Sequence, residues 1–272
     1  MRKTLIVALV VIQSLVFAVP AQAAAKKKPA PRRVVELHGP DSLYRSYKIK
    51  TDRGDFQISV ATLVRDKFDM ITVVGESAEC VNNCTTRSLD KYVKENRGTI
   101  GIHGTYFCPP DYKNCAGKVG SFLSPVWNSN AHAFANNHSL PYQPGPLVAY
   151  KDDVYSYYHR ASEFSGNPAA AIAHYPSLVE HGTAVVESEP LLDANMRSKK
   201  SVRGGIGFDP GHIYLVISQG ASVVDMAAVF KALGATEAMN LDGGGSAALY
   251  YEGRYVFGPG RLLPNAIVFK HK

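Results

Sequence analysis

Long apolar runs are scarce in this sequence of 272 residues. The longest is residues 5–18, which is shorter than the roughly 20 residues that span a bilayer comfortably. The basic residues Arg2 and Lys3 precede it, and the small-x-small sequence Ala21–Ala23 follows it. This arrangement predicts a signal peptide over residues 1–23, and hence a protein that is secreted or resides in the cell envelope or periplasm. An uncleaved membrane anchor is the alternative, and it would be the only contact with a membrane.

The sequence also lacks a net charge once its N-terminal part is set aside. Residues 1–33 hold seven of the 30 Lys and Arg and none of the 23 Asp and Glu, so the rest of the chain carries 23 charges of each sign. We interpret residues 24–40, rich in Ala, Lys and Pro, as a solvated linker. Basic residues clustered among aromatic ones on a folded domain are absent, so we expect no nucleic-acid partner. Residues 41–272 are long enough for a single catalytic domain.

Cysteine is scarce as well. The four cysteines are Cys80, Cys84, Cys108 and Cys115, in two local clusters. An even number in an exported chain favours disulfides, and the sequence alone leaves three connectivities open. We expect the two local pairs, Cys80–Cys84 and Cys108–Cys115, rather than crossed ones. Zinc binding is the alternative, but neither spacing is the two-residue spacing of a zinc knuckle.

Short alternating stretches predict strands over most of the remaining chain. Asp209-Pro210-Gly211 predicts a hairpin turn between two of them. Two helices are predicted, one over residues 89–96 and one that begins after Ser222 and ends at Gly234. The pattern indicates an α+β fold with mixed or antiparallel sheets and a few packed helices. The predicted strands are 56–60, 69–74, 99–103, 147–150, 154–158, 205–208, 213–218 and 265–269.

The most informative run is Ala238-Met-Asn-Leu-Asp-Gly-Gly-Gly-Ser246. A predicted strand ends before Asp242, and three glycines follow it. Successive glycines allow backbone N–H groups to converge on an anion and allow a ligand to approach closely. A carboxylate beside such a nest suits a site in which one group binds phosphate and another handles water or a sugar hydroxyl. A glycine-rich turn is the alternative, whereas dinucleotide-binding and nucleophile-elbow motifs are excluded because no helix follows.

This run resembles the signature of the phosphodiester glycosidase (NAGPA-type, uncovering-enzyme-like) domain family. The resemblance extends from about residue 71 to the C-terminus and departs at His103, where the family usually has Asn. It implies an exported hydrolase that cleaves the glycosidic bond of a sugar-1-phosphodiester, in a cell-envelope glycan or an exopolysaccharide. Further segments that resemble family elements are Ile102–Phe107, Gln143–Val148, Arg203–Gly207 and Pro264–Val268.

The implied reaction gives three residues candidate catalytic roles. Arg203 is the expected phosphate clamp, because a guanidinium binds phosphate through two parallel hydrogen bonds. Asp242 is the expected base, nucleophile or electrostatic stabiliser, and His103 a phosphate donor or proton shuttle. Each has a structural alternative: a surface ion pair, an Asx turn and a hydrogen-bonded strand-end imidazole, respectively. The expected substrate-binding residues are Asn240, Gly243, Gly244, Gly245, Ser246 and Asn265.

Other polar residues point less clearly to a site. Glu76 is a weaker candidate for a second carboxylate. His132 and His138 have a spacing that no common metal motif uses, so we predict no metal site and no cofactor; a divalent cation beside Asp242 is the one exception that we consider. Two other functions would use the same fold: a non-catalytic domain that binds sugar phosphates, and a transferase that passes the sugar to an acceptor.

Overall fold

A computed structural model describes residues 35–76 and 79–272, which form one compact domain. The predicted signal peptide, residues 1–23, lies outside the described residues, as do residues 24–34. None of the helices in the described part of the chain is long and apolar enough to cross a membrane.

Strands predominate, and most of them are short. In the described residues the helices are α1 (Leu89–Glu95), α2 (Ala194–Ser198) and α3 (Val223–Leu233). The strands are β1 (Val35–Gly39), β2 (Ser42–Thr51), β3 (Gly54–Val64), β4 (Phe68–Val74), β5 (Ile100–His103), β6 (Val126–Asn128), β7 (Ala133–Ala135), β8 (Leu147–Lys151), β9 (Val154–Tyr158), β10 (Ala170–Ala173), β11 (Ser177–Glu180), β12 (Thr183–Ala184), β13 (Ser201–Phe208), β14 (His212–Ala221), β15 (Glu237–Gly243), β16 (Leu249–Tyr251), β17 (Arg254–Phe257) and β18 (Asn265–His271).

The strands form three sheets. The first sheet has eight strands in the order β1-β2-β3-β14-β13-β15-β11-β12. The second has five, β7-β6-β10-β8-β9, and the third has five, β17-β16-β5-β18-β4. Neighbouring strands in each sheet run antiparallel, so the predicted α+β fold with antiparallel sheets is confirmed.

The predicted linker is wrong in its last part. It was expected to extend to residue 40, but Val35–Gly39 forms β1, an edge strand that pairs with β2. The chain reverses at Asp41, whose φ is 54°. Leu37 packs against the main core, and this burial favours pairing over a solvated tail. The strand was not predicted because the basic residues of 24–33 led us to assign the whole segment to a linker.

A main core lies where the three sheets meet. Leu215 of the first sheet, Ile172 of the second and Ile102 of the third are all fully buried there. Helix α3 covers the other face of the first sheet, where Phe230 packs on the glycines of β13. Helix α1 covers the third sheet in the same way through Tyr92.

The clearest local signals are confirmed. Ser222 caps α3 and forms a capping box with Asp225, and Gly234 ends the helix at a φ of 87°. The turn at residues 209–211 joins β13 to β14 as a hairpin. Helix α2 was missed because its single turn is too short for a helical period to show.

The cysteines form the two local disulfides that were predicted. Cys80 pairs with Cys84, and Cys108 pairs with Cys115. No cysteine among the described residues is left free for zinc. The second bridge closes the loop that follows β5 and so fixes one wall of the cleft described next.

Candidate active site

Strand pairing brings two of the predicted catalytic residues to the same end of the first sheet. Asp242 lies near the end of β15, and Arg203 lies opposite Gly243 on the neighbouring strand β13. The pairing register shifts between Arg203 and Gly204, which marks a local irregularity at this end of the sheet. The two side chains line a cleft of about 220 Å³. The cleft also contains Ser246, Gly243, Gly244, Lys199, Arg261, Tyr106, Phe107 and Tyr112.

Asp242 is partly buried in this cleft. Burial raises the pKa of its carboxyl to about 6. The Gly243 N–H, the Ser246 hydroxyl and the charges of Arg261 and Arg203 act in the opposite direction but do not cancel the effect. A carboxyl with a pKa near 6 exists in both protonation states close to neutral pH, which suits proton transfer.

Arg203 directs an unpaired charge into the cleft. Its Nη2 donates to the backbone oxygen of Lys199 over 2.9 Å. Its Nε is buried and has no hydrogen-bond partner in the part of the chain that the structure describes. Arg203 also forms no ion pair with any described carboxylate, so the alternative of a surface ion pair does not apply. The guanidinium remains available for an anionic ligand, as the phosphate-clamp hypothesis requires.

The glycine run is shaped differently from the predicted nest. The Gly243 N–H donates to Oδ1 of Asp242 over 2.7 Å, so it is not free for phosphate. Gly244 has a φ of 57° and begins a 3₁₀ turn that ends at Ser246. A Cβ atom on Gly245 would lie 2.9 Å from Cζ of Arg261. Gly245 therefore makes room for a guanidinium, and the binding of substrate by the N–H groups of Gly243 and Gly245 stays a prediction.

Arg261 is a cleft residue that the sequence analysis missed. Its Nη1 donates to Oγ of Ser246 over 3.3 Å, and its Nη2 pairs with Asp111. The guanidinium also lies over the ring of Tyr112, 5.4 Å from the ring centre. Arg261 sits in the loop between β17 and β18, where no motif marks it, and only tertiary packing brings it beside the glycine run. Lys199, just after α2, was missed for the same reason.

His103 does not reach the cleft. It is fully buried, and its Nε2 lies 2.7 Å from the backbone oxygen of Asp242. Its Nδ1 lies 3.2 Å from the backbone nitrogen of Ala248. Burial lowers the pKa of this imidazole, so we assign the neutral form, with Nε2–H donating to Asp242 and Nδ1 accepting from Ala248. The structure thus places His103 away from the cleft, in the hydrogen-bonded position that was its structural alternative.

The two predicted asparagines also serve the fold. Oδ1 of Asn265 accepts from the Thr105 N–H and its Nδ2 donates to the Thr105 hydroxyl, both over 2.9 Å. Asn265 is buried with both groups occupied and does not line the cleft, so the structure places it in the fold rather than in the site. Asn240 is also buried and outside the cleft lining, but its Nδ2 donates to the hydroxyl of Tyr106 over 2.7 Å. Asn240 therefore reaches the cleft only through the hydroxyl of Tyr106, and its contact with a sugar stays a prediction.

Tyr106 is a third cleft residue that the sequence analysis did not name as a site residue. Burial raises the pKa of its hydroxyl to about 12, so the group stays protonated. Because it accepts from Asn240, its own proton is left to donate toward the cleft.

Glu76, the weaker candidate for a second carboxylate, does not line the cleft. Its Oε1 accepts from the Thr85 N–H over 2.6 Å. His138 pairs with Glu79 on the surface, away from the cleft.

The charges around Asp242 favour an anion over a cation. Lys199, Arg203 and Arg261 all line the cleft. Asp111, another carboxylate near them, is already paired with Arg261. A divalent cation needs several oxygen ligands and would meet this positive field, so the residues do not fit the cation considered beside Asp242. They fit a phosphate bound next to a single carboxylate.

Comparisons with known proteins bear on the fold and the family of this chain. The family model for phosphodiester glycosidases matches residues 97–270. A hypothetical protein from Synechocystis superposes with a TM-score of 0.70 at 14% identity, over 90% of this chain; this chain spans 64% of that one. The catalytic domain of zebrafish N-acetylglucosamine-1-phosphodiester alpha-N-acetylglucosaminidase, auto-inhibited by its pro-peptide, superposes with a TM-score of 0.62 at 15% identity, covering 88% and 87% of the two chains. No curated protein matches the sequence significantly.

At these identities the two structures establish a shared fold. The family match covers more than half of the chain and includes β13, β15 and the glycine run. The chain belongs to the phosphodiester glycosidase family.

Proposed function

We propose that the protein hydrolyses the glycosidic bond of a sugar-1-phosphodiester. One observation carries the proposal: Asp242, a carboxyl with a pKa raised to about 6, shares a cleft with three cationic side chains. Such a substrate has a phosphate for the cations and an anomeric carbon next to it for the carboxylate. The name of the zebrafish enzyme describes this class of bond, which supports the proposal.

The bond that breaks joins the anomeric carbon to the phosphate oxygen. The oxygen and its bonding electrons leave with the phosphomonoester, and a water oxygen takes its place on the carbon. The phosphomonoester is a good leaving group, so it needs little general-acid help. Arg203 and Arg261 stabilise the negative charge that develops on it, in a cleft where their geometry is already set.

Asp242 acts on the carbon side of that bond. In its ionised form it stabilises the positive charge that develops on the sugar ring and accepts the proton of the attacking water. The Gly243 N–H bonded to Oδ1 and the His103 hydrogen bond to its carbonyl oxygen fix its position. Such fixed groups lower the barrier because no reorganisation is needed during the reaction.

The aromatic side chains of the cleft suit the sugar. Phe107 and Tyr112 offer flat apolar surfaces, and Tyr106 offers a hydroxyl that stays protonated. Sugar rings have apolar faces and polar edges, so this combination can hold one ring beside the phosphate. The identity of the sugar then depends on hydroxyl contacts near Tyr106.

We also propose that the substrate lies outside the cytoplasm, in a cell-envelope glycan or an exopolysaccharide. Two disulfides within the described residues support an oxidising compartment. The signal-peptide pattern of residues 1–23 points the same way.

The test is hydrolysis in ¹⁸O-labelled water. The secreted protein would be incubated with a panel of α-linked sugar-1-phosphate methyl esters, and the methyl phosphate product analysed by mass spectrometry. We expect methyl phosphate without ¹⁸O, because the glycosidic oxygen stays with phosphate. Incorporation of ¹⁸O into phosphate would instead show cleavage at phosphorus and rule out the glycosidase mechanism. If the protein binds the ester saturably but does not turn it over, it is a non-catalytic binding domain. If a new glycoside forms, and only when an acceptor sugar is added, the protein is a transferase.

A further inference from the structure

A second group of polar side chains lies at the other end of the first sheet. His159 follows β9, His181 lies in the turn between β11 and β12, and Glu237 begins β15. One nitrogen or oxygen atom from each of the three side chains lies within 4.8 Å of the other two. Asp242 is five residues further along β15, about 17 Å away at the usual rise of a strand. The group is therefore separate from the active site.

The backbone brings His181 against Glu237. His181 and Gly182 form a two-residue hairpin turn with φ values of 48° and 76°. Turns of this kind need positive φ at both positions, and histidine, like Asn and Asp, tolerates this conformation better than most residues. The His181 N–H donates to Oε1 of Glu237 over 3.1 Å, and its Nδ1 lies 3.3 Å from the same oxygen.

The group contains polar atoms whose bonding capacity is unused. Oε2 of Glu237 and Oε1 of Glu180 are buried without a hydrogen-bond partner in the described chain. Glu180 also approaches His159, with Oε2 lying 3.1 Å from Nδ1. The nearest cation, Arg160, comes only within 3.9 Å of Glu180 and also pairs with Glu189. Two carboxylates and two imidazoles thus lie together, and few hydrogen-bond donors or cations of the described chain offset the cost of burying the carboxylates.

We propose that His159, His181 and Glu237 bind a divalent transition-metal ion of the zinc class. Two imidazoles and one carboxylate are a ligand set that zinc uses in proteins, whereas magnesium and calcium prefer oxygen ligands alone. Ligand atoms around tetrahedral zinc are roughly 3.3 Å apart, given metal–ligand distances of about 2.0–2.1 Å. His181 and Glu237 already have this separation. Only the distances to the His159 ligand atom must shorten. The His181 side chain is 81% exposed and can rotate toward His159.

The surroundings suit a site with three protein ligands. Glu180 contacts His159 and can orient its ring, as carboxylates next to metal-bound histidines do. A cleft of about 240 Å³, bordered by Tyr155, Tyr157 and Thr236, opens beside the three side chains. It leaves room for a water molecule as the fourth ligand. The ion would join the end of β9, in the second sheet, to the first sheet, and so stabilise the contact between them.

The test compares zinc binding by three forms of the secreted, chelator-treated protein. Calorimetric titration with zinc chloride is expected to show one equivalent bound by the wild type. His181→Asn keeps a residue that tolerates the left-handed turn but removes the imidazole, and we expect binding to weaken at least tenfold. His212→Asn is the matched control, because it removes an exposed histidine beside a carboxylate, Asp209, outside the group. This control is expected to bind zinc like the wild type.

Two further readouts separate the site from a general effect. Zinc should raise the melting temperature of the wild type and of His212→Asn, but not that of His181→Asn. Asp242→Asn should bind zinc normally, because it lies at the far end of β15. The proposal is overturned if the wild type binds no stoichiometric zinc, or if His181→Asn binds it as tightly as the wild type. It is also overturned if Asp242→Asn abolishes binding.

Discussion

The Nε2 atom of His103 lies 2.7 Å from the backbone oxygen of Asp242. A buried, neutral imidazole thus holds the main chain of the residue that we place at the reaction centre. Gly204 makes this contact possible, since a Cβ atom there would lie 2.2 Å from Nε2. His103 is therefore a positioning residue. An experiment can distinguish this role from a role in proton transfer.

Replacing His103 with alanine should lower stability and rate without changing the pH profile. The change leaves the Asp242 carbonyl and the Ala248 N–H without their buried partner, which costs about 2–4 kcal/mol of unfolding free energy. The pH midpoint of kcat/KM should stay where it is in the wild type, because His103 does not line the cleft and burial lowers the pKa of its imidazole. Urea unfolding and a pH–rate profile measure both effects, with His138→Ala as an exposed control expected to change stability by less than about 0.5 kcal/mol. A shifted midpoint at unchanged stability would return His103 to a proton-transfer role.

The raised pKa of Asp242 predicts a pH-dependent effect on stability. Because the folded-state pKa of about 6 exceeds the ordinary value of 3.8, the folded state binds the proton more tightly than the unfolded state. The stability that this proton contributes is fully present below about pH 4 and is lost as pH rises through 6. Asp242→Asn should therefore be about 2–3 kcal/mol more stable than the wild type at pH 7.5, and similar to it at pH 4. Chemical unfolding of both proteins at several pH values tests this, and a stability difference independent of pH would refute it.

Replacing Arg203 should weaken phosphate binding, whereas replacing an arginine outside the cleft should not. Arg203→Lys keeps a positive charge but loses the planar fork, so affinity for phosphate should fall by about 1–3 kcal/mol. Arg254→Lys is the matched control, because Arg254 is exposed on β17 and does not line the cleft. Calorimetry with inorganic phosphate measures both variants. Equal affinities in the two would show that Arg203 does not contact the anion.

Gly245 should matter for substrate binding through Arg261. A methyl group at Gly245 would press on the guanidinium of Arg261, which lies at the end of a flexible side chain and can move away. Gly245→Ala should therefore fold normally but raise KM about threefold or more, because Arg261 leaves the cleft. Gly211→Ala is the control, since a methyl group there meets no atom closer than 3.7 Å. Steady-state kinetics measure KM for both variants. An unchanged KM for Gly245→Ala would show that Arg261 does not contribute to substrate binding.

Much of the fold follows from local patterns in the sequence. Alternation marks strands such as β3 and β14, and the Ser222 capping box and Gly234 mark both ends of α3. It also marks the five-residue strands β8 and β9, but β1, β7 and β12 were not predicted, although each pairs with the strand next to it in the sequence. The two residues of β12 are too few for a period to appear.

The site was predictable only where a motif carries it. Asp242, Arg203 and Ser246 lie in segments that resemble family elements, and the structure brings them together. His103 and Asn265 lie in such segments too, but their polar groups bind the backbone and side chain of neighbouring loops rather than a ligand. Residue type alone cannot separate these two uses of a polar side chain. Arg261 and Lys199 come from separate loops that no motif marks and reach the cleft only through tertiary packing, whereas Tyr106 lies in a family-like segment but was not singled out.

The most direct test of the account is the rate at which Asp242→Asn releases sugar from an α-sugar-1-phosphodiester, measured beside its affinity for phosphate. The variant keeps the shape of the side chain but loses the charge that the reaction requires. We predict that the wild type turns over with a kcat/KM that rises through about pH 6, and that the variant loses at least about a thousandfold in kcat while its phosphate affinity stays within about threefold of the wild type. Wild-type turnover by Asp242→Asn would contradict the account, because Asp242 would then be no more than a turn residue beside three glycines.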